Sequence, residues 1–549
     1  MRIVWLAVNA SHAHASLALP LLHLACSAQG ELAWEAVSST LHDDPGALAA
    51  AVVAREPDVV AATLYLFNSG LVLETLSRVK ALRPGCTTIV GGPECLGEVG
   101  DLFARHPWVD LAVRGEGEAV LPELLERLRR AVAPSGLRGV CWRAADGTLH
   151  DDGSRAVSRS WPTAPPPCRS PFFDTSRAFV QIETSRGCRG ACAYCTSCRD
   201  LPLRQRPLAA IRDELAALRD RGVREVRVLD RTFNAPAGRA GDLLALFLDE
   251  FPSMRFHLEI DPAGLSRGLR ERLRRAAPGA LHLEAGLQTT APRALAACGR
   301  QADPARALDG LRFLVHETAL PTHVDLLAGL PEQTLSDVEH DIEVLLDLGP
   351  AEIQLEVLKV LPGTPFWGSA KALGLCHAPL PPYEVLQTPA CDAAGLRRVV
   401  AWSRCLDRFY NAAALQAVVR EAVRTGGGVA VFAAASEADL GTAPAALERR
   451  FRFLAASAAD RPGLLDAVRL AWLRAGLSPA DPLPGAAPWK QPLPAGARWQ
   501  AQPPAGSGAT QRLWRLALSD RVVWVLYDRG QDERRPIAFA ELPAGAAAT

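Results

Sequence analysis

The sequence predicts an α/β chain: an amino-terminal doubly wound parallel sheet, a partial (β/α)6 barrel, and a mostly helical carboxyl-terminal region. Three observations carry this. Short apolar strands alternate with amphipathic helical stretches over residues 1–130, and the alternation resumes for six strands over 176–365. A Pro-rich segment, "SWPTAPPPCRSP", separates the two arrays. Residues 366–480 then read as helix almost throughout.

In the first array the strands are "RIVWLAV", "WEAVSST", "DVVAATLY", "CTTIVGG" and "VDLAVRGEG", with helices such as "LVLETLSRVKALRP" between them. Nearly continuous apolar strands suit a parallel, Rossmann-like sheet covered on both faces. Its ligand crevice is expected at the carboxyl ends of the strands, which carry "NASHAHAS", "LFNSG", "GGPE" and "RGEGE". Glycine at such ends lets backbone approach a bulky ligand. Residues 131–175 hold an expected hairpin, "GVCWRAADGTLH", and the Pro-rich linker. The strands of the second array are "FVQIET", "EVRVLD", "RFHLEI", "LHLEAGLQ", "HVDLLAGLP" and "IQLEVLKVLPGT". Six such strands fall short of a closed barrel. Residues 481–549 are expected to form a Pro/Ala/Gly-rich linker (482–510) and a terminal hairpin, "LWRLALSDRVVWVLYD".

At 549 residues the chain exceeds a single core and implies roughly three or four domains. Lys+Arg and Asp+Glu are equal at 60 each, so no global field recruits nucleic acid or an acidic membrane. "MRIVWLAV" is basic and then apolar, as an export signal is, but Asn9, Ser11, His12 and His14 interrupt the run. No window reaches the ~18 uninterrupted apolar residues of a membrane span. Thirteen cysteines lie scattered apart from one cluster, which fits a reducing compartment; a cytoplasmic location is expected.

That cluster is "SRGCRGACAYC", residues 185–195, which places Cys188, Cys192 and Cys195 just beyond a strand. Barrel enzymes keep their chemistry at that end. Thiolates ligate iron–sulfur clusters, and a cluster held by an odd set of cysteines keeps one iron open. The competing reading is a structural zinc knot with Cys198 as the fourth ligand, but four ligands in so short a run suit tetrahedral geometry poorly. Cys198 is therefore read as a bystander.

Cys-x3-Cys-x2-Cys with the aromatic Tyr194 before the last cysteine resembles the radical S-adenosylmethionine (SAM) superfamily. The resemblance implies a [4Fe-4S] cluster on Cys188, Cys192 and Cys195, whose open iron binds S-adenosyl-L-methionine. An electron from an external donor of flavodoxin or ferredoxin type then cleaves the sulfonium to give a 5′-deoxyadenosyl radical. "LEAGLQTT" (283–290), "DLLAGLPEQT" (325–334) and "LKVLPGTPFW" (358–367) are similar to that superfamily's later barrel strands. By that resemblance Tyr194, Glu259 and Gln288 contact the cofactor, Arg300 pairs with its carboxylate, and Gly329 leaves room for adenine. Each has an ordinary alternative: Glu259 and Gln288 as partners of core backbone, Arg300 as a solvated helix charge. Where the superfamily often has Gly-Gly-Glu after its second strand this chain has "LDRTFN", which leaves Asp230 as the substitute.

A doubly wound domain ahead of a radical barrel resembles the cobalamin-binding domain of one class within that superfamily. The resemblance sets Gly91, Gly92, Gly115 and Glu116, with Ser69 and Gly70 after the third strand, against the corrin and its nucleotide tail. The Asp-x-His-x-x-Gly motif of cobalamin mutases is absent; His12 and His14 occupy the first loop instead. Two readings stand for them: an imidazole on cobalt, or residues that cap the helix and line the crevice.

The layout over about residues 1–480 is similar to cobalamin-dependent radical enzymes with an additional helical carboxyl-terminal domain. The implied activity is methyl transfer to an unactivated carbon of a small-molecule metabolite, with methylcobalamin as the methyl source and no protein nucleophile. Three alternatives stand beside it. One is a cobalamin-dependent cyclase or rearranging enzyme. Another is a radical RNA-modifying enzyme of methylthiotransferase type, against which the mixed charges and the lack of an aromatic platform in the terminal hairpin argue. The last is a non-catalytic cofactor-binding protein. Neither a membrane nor a nucleic acid is an expected partner.

Overall fold

The structure, a computed structural model, describes residues 1–549 except 28–31, 154–157, 159, 163–164, 200–201, 428, 439–445, 495, 501–510, 530–533 and 543–549. The chain divides into two compact units: residues 1–334 with 357–396, and residues 335–356 with 397–549.

The first unit opens with β1 (Arg2–Asn9), β2 (Ala33–Thr40), β3 (Val59–Thr63), β4 (Thr87–Gly91) and β5 (Leu111–Val113), all parallel. Alternate side chains of β1 enter opposite cores: Val4, Leu6 and Val8 on one face, Ile3 and Trp5 on the other. Helices cover both faces. Ser69–Leu82 buries Val72, Leu76 and Val79, while Leu121–Arg129 buries Leu121, Leu124 and Leu125. The expected hairpin, β6 (Val140–Arg143) and β7 (Leu149–Asp151), is not a separate bridge. Its first strand pairs antiparallel with β5, giving a seven-stranded sheet of order 2-1-3-4-5-6-7. The order reverses between β1 and β3, which opens a crevice at their carboxyl ends.

Barrel strand β8 (Val180–Ile182) leads into β9 (Ser185–Arg186), which pairs with β10 (Arg204–Gln205) and closes the neck of the cysteine loop. β11 (Glu225–Val228), β12 (Arg255–Ile260), β13 (Leu281–Gln288) and β14 (Thr322–Ala328) continue the parallel sheet from β8. On β12 to β14, buried Phe256, Leu258, Leu283 and Val324 alternate with half-buried His257, Glu259, Glu284 and Asp325. One face of this sheet is therefore polar, where a packed barrel is ordinarily filled with branched apolar side chains. The sixth strand of the repeat, β15 (Glu352–Val357), straddles the boundary of the two units. A short pair, β16 (Cys376–His377) and β17 (Val385–Gln387), follows in the first unit.

The second unit contains helices Ala413–Ala422, Leu447–Ser457 and Pro462–Arg474, with the Phe451 ring set edge-on to the buried Trp472. The expected linker and hairpin are a larger structure. β18 (Ala487–Trp489), β19 (Arg498–Trp499), β20 (Gln511–Ala517), β21 (Val522–Arg529) and β22 (Arg534–Leu542) form one antiparallel sheet of order 18-20-21-22-19. The 482–510 linker thus supplies two edge strands, and its residues 495 and 501–510 lie outside the described residues. No helix among the described residues is long and apolar enough to cross a membrane.

Candidate functional site

The cysteine loop leaves β9 through Gly187, whose φ of 95° suits glycine. All three cysteines are half-buried, and Arg189, Gly190 and Ala191 between them are exposed. Each sulfur has a donor. Gly190 N–H lies 3.3 Å from Cys188 Sγ, Ser197 N–H 3.4 Å from Cys195 Sγ, and Arg300 Nη1 3.8 Å from Cys192 Sγ. A Cβ on Gly190 would stand 3.4 Å from Cys188 Sγ and 3.7 Å from Cys192 Sγ, so the glycine keeps the space beside both sulfurs clear. Donors aimed at sulfur suit thiolates, and the set fits an iron–sulfur cluster. Cys198 sits in the same turn, its N–H on the Cys195 carbonyl at 3.2 Å.

Two segments distant in sequence hold this loop. Ala193 donates its N–H to Cys298 O at 2.8 Å and accepts from Phe366 N at 3.0 Å. Cys298, which carries no motif, is fully buried, and burial beside Cys192 pushes its thiol up to about 12. Its contact with the loop runs through its carbonyl, which props Ala193. Thr232, within "LDRTFN", lies with Oγ1 3.6 Å from Cys188 Sγ.

The expected SAM contacts separate into groups. Arg300 is drawn to the cluster loop: Nη2 donates to Gly286 O at 2.6 Å, Nη1 is 3.5 Å from Tyr194 Oη, and its buried Nε has no partner. Gln288 ends β13 with φ of 70°, after a register shift from Gly286. A left-handed non-glycine residue at a bulge marks a re-aimed side chain. Glu259 lies on the polar face with its carboxyl pushed up to about 7 by burial, with Glu284 and Asp325 adding to the rise against the pull of Arg231. Glu284 goes the other way, held low by the imidazole of His257 at 2.8 Å. Gly329 is buried with φ of 79°, and a Cβ there would meet Leu396 at 3.4 Å and Val385 at 3.6 Å; its near surroundings are apolar side chains.

Asp230 does not stand in for the missing Gly-Gly-Glu. It is buried, with Oδ1 accepting from the N–H groups of Thr184 and Ser185 at 2.8 and 2.9 Å and Oδ2 accepting from the Ser185 hydroxyl at 2.7 Å. Its carboxylate is consumed in fixing the end of β8 just ahead of the cysteine loop.

At the strand ends of the amino-terminal sheet lies a cavity of about 550 Å³ whose lining includes His14, Tyr65, Gly91, Gly92, Gly115 and Glu116. Gly92 is obligatory: φ is 97°, and a Cβ would fall 2.5 Å from Thr63 Cγ2 and 2.8 Å from Leu64 O. Gly115, with φ of 90°, has nothing within 4 Å of its Cβ direction and leaves the cavity open. Such a glycine-walled cradle fits a bulky corrin, and Tyr65 and Phe67 stack at 5.3 Å along its lining. His14 reaches the cavity with Nδ1 on Ser11 Oγ at 2.9 Å and its ring edge-on to Phe179; burial and then Arg227 lower its pKa. His12 is exposed and contributes its carbonyl to Arg177. Ser69 and Gly70 fall outside the cavity: Ser69 is buried at the start of its helix, and Gly70 faces open space.

The cavity and the cysteine loop share a wall, because Glu183 and Arg186 line the cavity directly ahead of Cys188. Arg186 binds Glu118 and Glu183, each at 2.7 Å, and Arg204 binds Glu116 at 2.7 Å. Burial raises the pKa of Glu183 against the opposing pull of Arg186.

The Radical SAM superfamily profile matches residues 182–345. The 2-(S-pantetheinyl)-carbapenam-3-carboxylate methyltransferase of Streptantibioticus cattleyicolor is 30% identical over 192 residues, covering 32% of this chain and 28% of that protein. The match thus spans under a third of that relative's length. In structure, the chain is similar to OxsB, a cobalamin-dependent S-adenosylmethionine radical enzyme solved with aqua-cobalamin and S-adenosylmethionine (TM-score 0.59, 13% identity, 88% of this chain and 74% of that one). It is also similar to TsrM, a radical S-adenosylmethionine methyltransferase of Kitasatospora setae solved with tryptophan and a SAM analogue (TM-score 0.56, 20% identity, 69% and 78%). At these identities the structural likeness is one of fold.

Proposed function

We propose that this chain, whose residues 182–345 match the Radical SAM superfamily, is a cytoplasmic cobalamin-dependent methyltransferase acting on an unactivated carbon of a small-molecule metabolite. One observation carries the reading: the strand-end cavity and the cysteine loop share the wall made by Glu183 and Arg186. A methyl-donor site and a radical site must sit side by side for one substrate carbon to meet both. The methyltransferase relative, matched over about a third of this chain, supports the same reading.

Cys188, Cys192 and Cys195 would hold a [4Fe-4S] cluster, with Arg300, Tyr194 and Gln288 beside it for S-adenosyl-L-methionine. Gly91, Gly92, Gly115, Glu116 and His14 would border cobalamin. When bound, these groups supply the electron, the radical precursor and the methyl group. The chain's own residues position them: Arg300 offers an unpaired Nε beside the loop, Glu259 is a carboxyl poised near neutrality, and Asp230 holds Thr184 and Ser185 ahead of the cysteines. The electron comes from an external donor of flavodoxin or ferredoxin type.

The test is chromatography of cofactor products under strong reductant, with methyl-labelled SAM and a candidate metabolite pool. Methyl transfer of this type releases 5′-deoxyadenosine and S-adenosylhomocysteine in comparable amounts, with label in a product. Sustained substrate conversion with 5′-deoxyadenosine alone would move the assignment to the cyclase and rearrangement class.

A further inference from the structure

Arg186 stands at the junction of the two candidate cofactor sites. It lies in β9, two residues before Cys188, and lines the strand-end cavity. Its Nη2 donates to Glu118 Oε1 and Glu183 Oε2, both at 2.7 Å, and its Nη1 is 3.5 Å from Glu116 Oε1. Glu116 and Glu118 belong to the turn after β5 that walls the cavity, while Glu183 directly follows β8. The Trp161 ring packs against the guanidinium at 5.3 Å. Across the neck of the cysteine loop, Arg204 in β10 is fully withdrawn from solvent and holds Glu116 at 2.7 Å. Both strands of the neck are therefore tied to one cavity turn.

Three carboxylates converge on these two arginines in a site largely shut off from water. A planar guanidinium satisfies several carboxylates in fixed directions, whereas the ammonium of lysine is a point charge on a flexible stem. Arg186 and Arg204 thus hold the turn and the loop neck in one relative position, and Arg186 also binds Glu118 and Glu183.

We infer that Arg186 is a positioning residue that makes loading of the cysteine loop and loading of the strand-end cavity interdependent. Ordering Cys188 around a cluster fixes β9, and Arg186 passes that order to Glu116 and Glu118 on the cavity wall. By linkage, filling the cavity favours the loop to the same degree. The inference rests on the cobalamin reading given above.

The experiment measures the affinity of the full-length chain for hydroxocobalamin by visible absorbance, with the protein cluster-free and after anaerobic cluster reconstitution. The wild type is expected to bind about 5- to 150-fold more tightly with the cluster in place. Arg186→Lys should bring that ratio close to one while still binding both groups. A merely structural role weakens both affinities equally and leaves the ratio at its wild-type value, which overturns the inference. Glu118→Gln keeps the guanidinium and guards against misfolding of the lysine variant: its ratio should fall part of the way, and an unchanged ratio counts against the inference. A wild type that binds hydroxocobalamin equally in both states overturns the inference alone. One that binds none overturns the cobalamin reading and the inference with it.

Discussion

The phenol of Tyr383 donates to Glu94 Oε2 at 2.7 Å, joining the segment between β16 and β17 to the "GGPE" turn at the end of β4. The two residues are 289 positions apart. Nearby, the Cβ direction of Gly97 ends 2.7 Å from Gly363 N, so the same turn presses backbone against backbone on the "LPGT" segment. The crevice turn is thus anchored from the barrel side, and burial raises the pKa of Glu94 despite the phenol.

Tyr383→Phe should leave a half-buried carboxyl without its donor and cost about 1 kcal/mol. Urea denaturation of the full chain checks this. An unchanged midpoint would mean that the contact is dispensable.

Glycines read from the sequence as equivalent should respond in opposite ways. At Gly92 an added Cβ meets backbone at 2.8 Å in a left-handed conformation, so Gly92→Ala should be strongly destabilised or insoluble. Gly70 lies in a helix facing open space, and Gly70→Ala should be neutral or more stable by about 0.5–1 kcal/mol. Thermal melts of the pair decide the matter.

Anaerobic reconstitution should load about four irons, with broad visible absorbance. Cys188→Ala, Cys192→Ala and Cys195→Ala should each abolish it, and Cys198→Ala should retain it. Equal loss in the Cys198 variant would return the site to a four-thiolate reading.

Glu259 provides a pH signature of the ligand-free fold. Its folded pKa of about 7 stands above the ordinary 4.5, so the folded state binds more protons than the unfolded chain between those values. Stability from this group is full below pH 4.5 and is lost as pH rises through 7, by on the order of 3 kcal/mol. Glu259→Gln should flatten that slope, leaving the variant the more stable protein at pH 8. Denaturant titrations at pH 5 and pH 8 test it, and parallel slopes for both proteins would contradict the assignment.

Cobalt ligation by His14 is open to direct measurement. With Nδ1 on Ser11 and the ring wedged beside Phe179, the imidazole is restrained as a lining group. Electron paramagnetic resonance of the Co(II) form should show no nitrogen splitting. A splitting that vanishes in His14→Ala would make it a ligand.

The parallel strands of both arrays and the cysteine loop were legible because each is a local pattern. Val4, Leu6 and Val8 alternate with Ile3 and Trp5 whatever lies across the sheet, and the three cysteines sit within one continuous loop. The hairpin "GVCWRAADGTLH" was legible as a hairpin too. Its membership of the amino-terminal sheet was not, since that depends on Cys141 finding Ala112 across β5. The terminal hairpin became a five-stranded sheet for the same reason: β18 and β19 are short, Pro- and Gly-flanked pieces with no periodicity of their own.

The sequence by itself determined the chemistry on offer, namely three thiols in one loop and glycines at parallel strand ends, because spacing and backbone freedom are properties of short stretches. Tertiary structure alone decided which charged groups serve that chemistry. Asp230 looked available and is spent on Thr184 and Ser185, whereas Arg186 looked ordinary and binds Glu118, 68 residues away. Such partners are set by how β5 and β8 come together, and each carboxylate goes to the donor that packing brings within reach. No local propensity reports that choice.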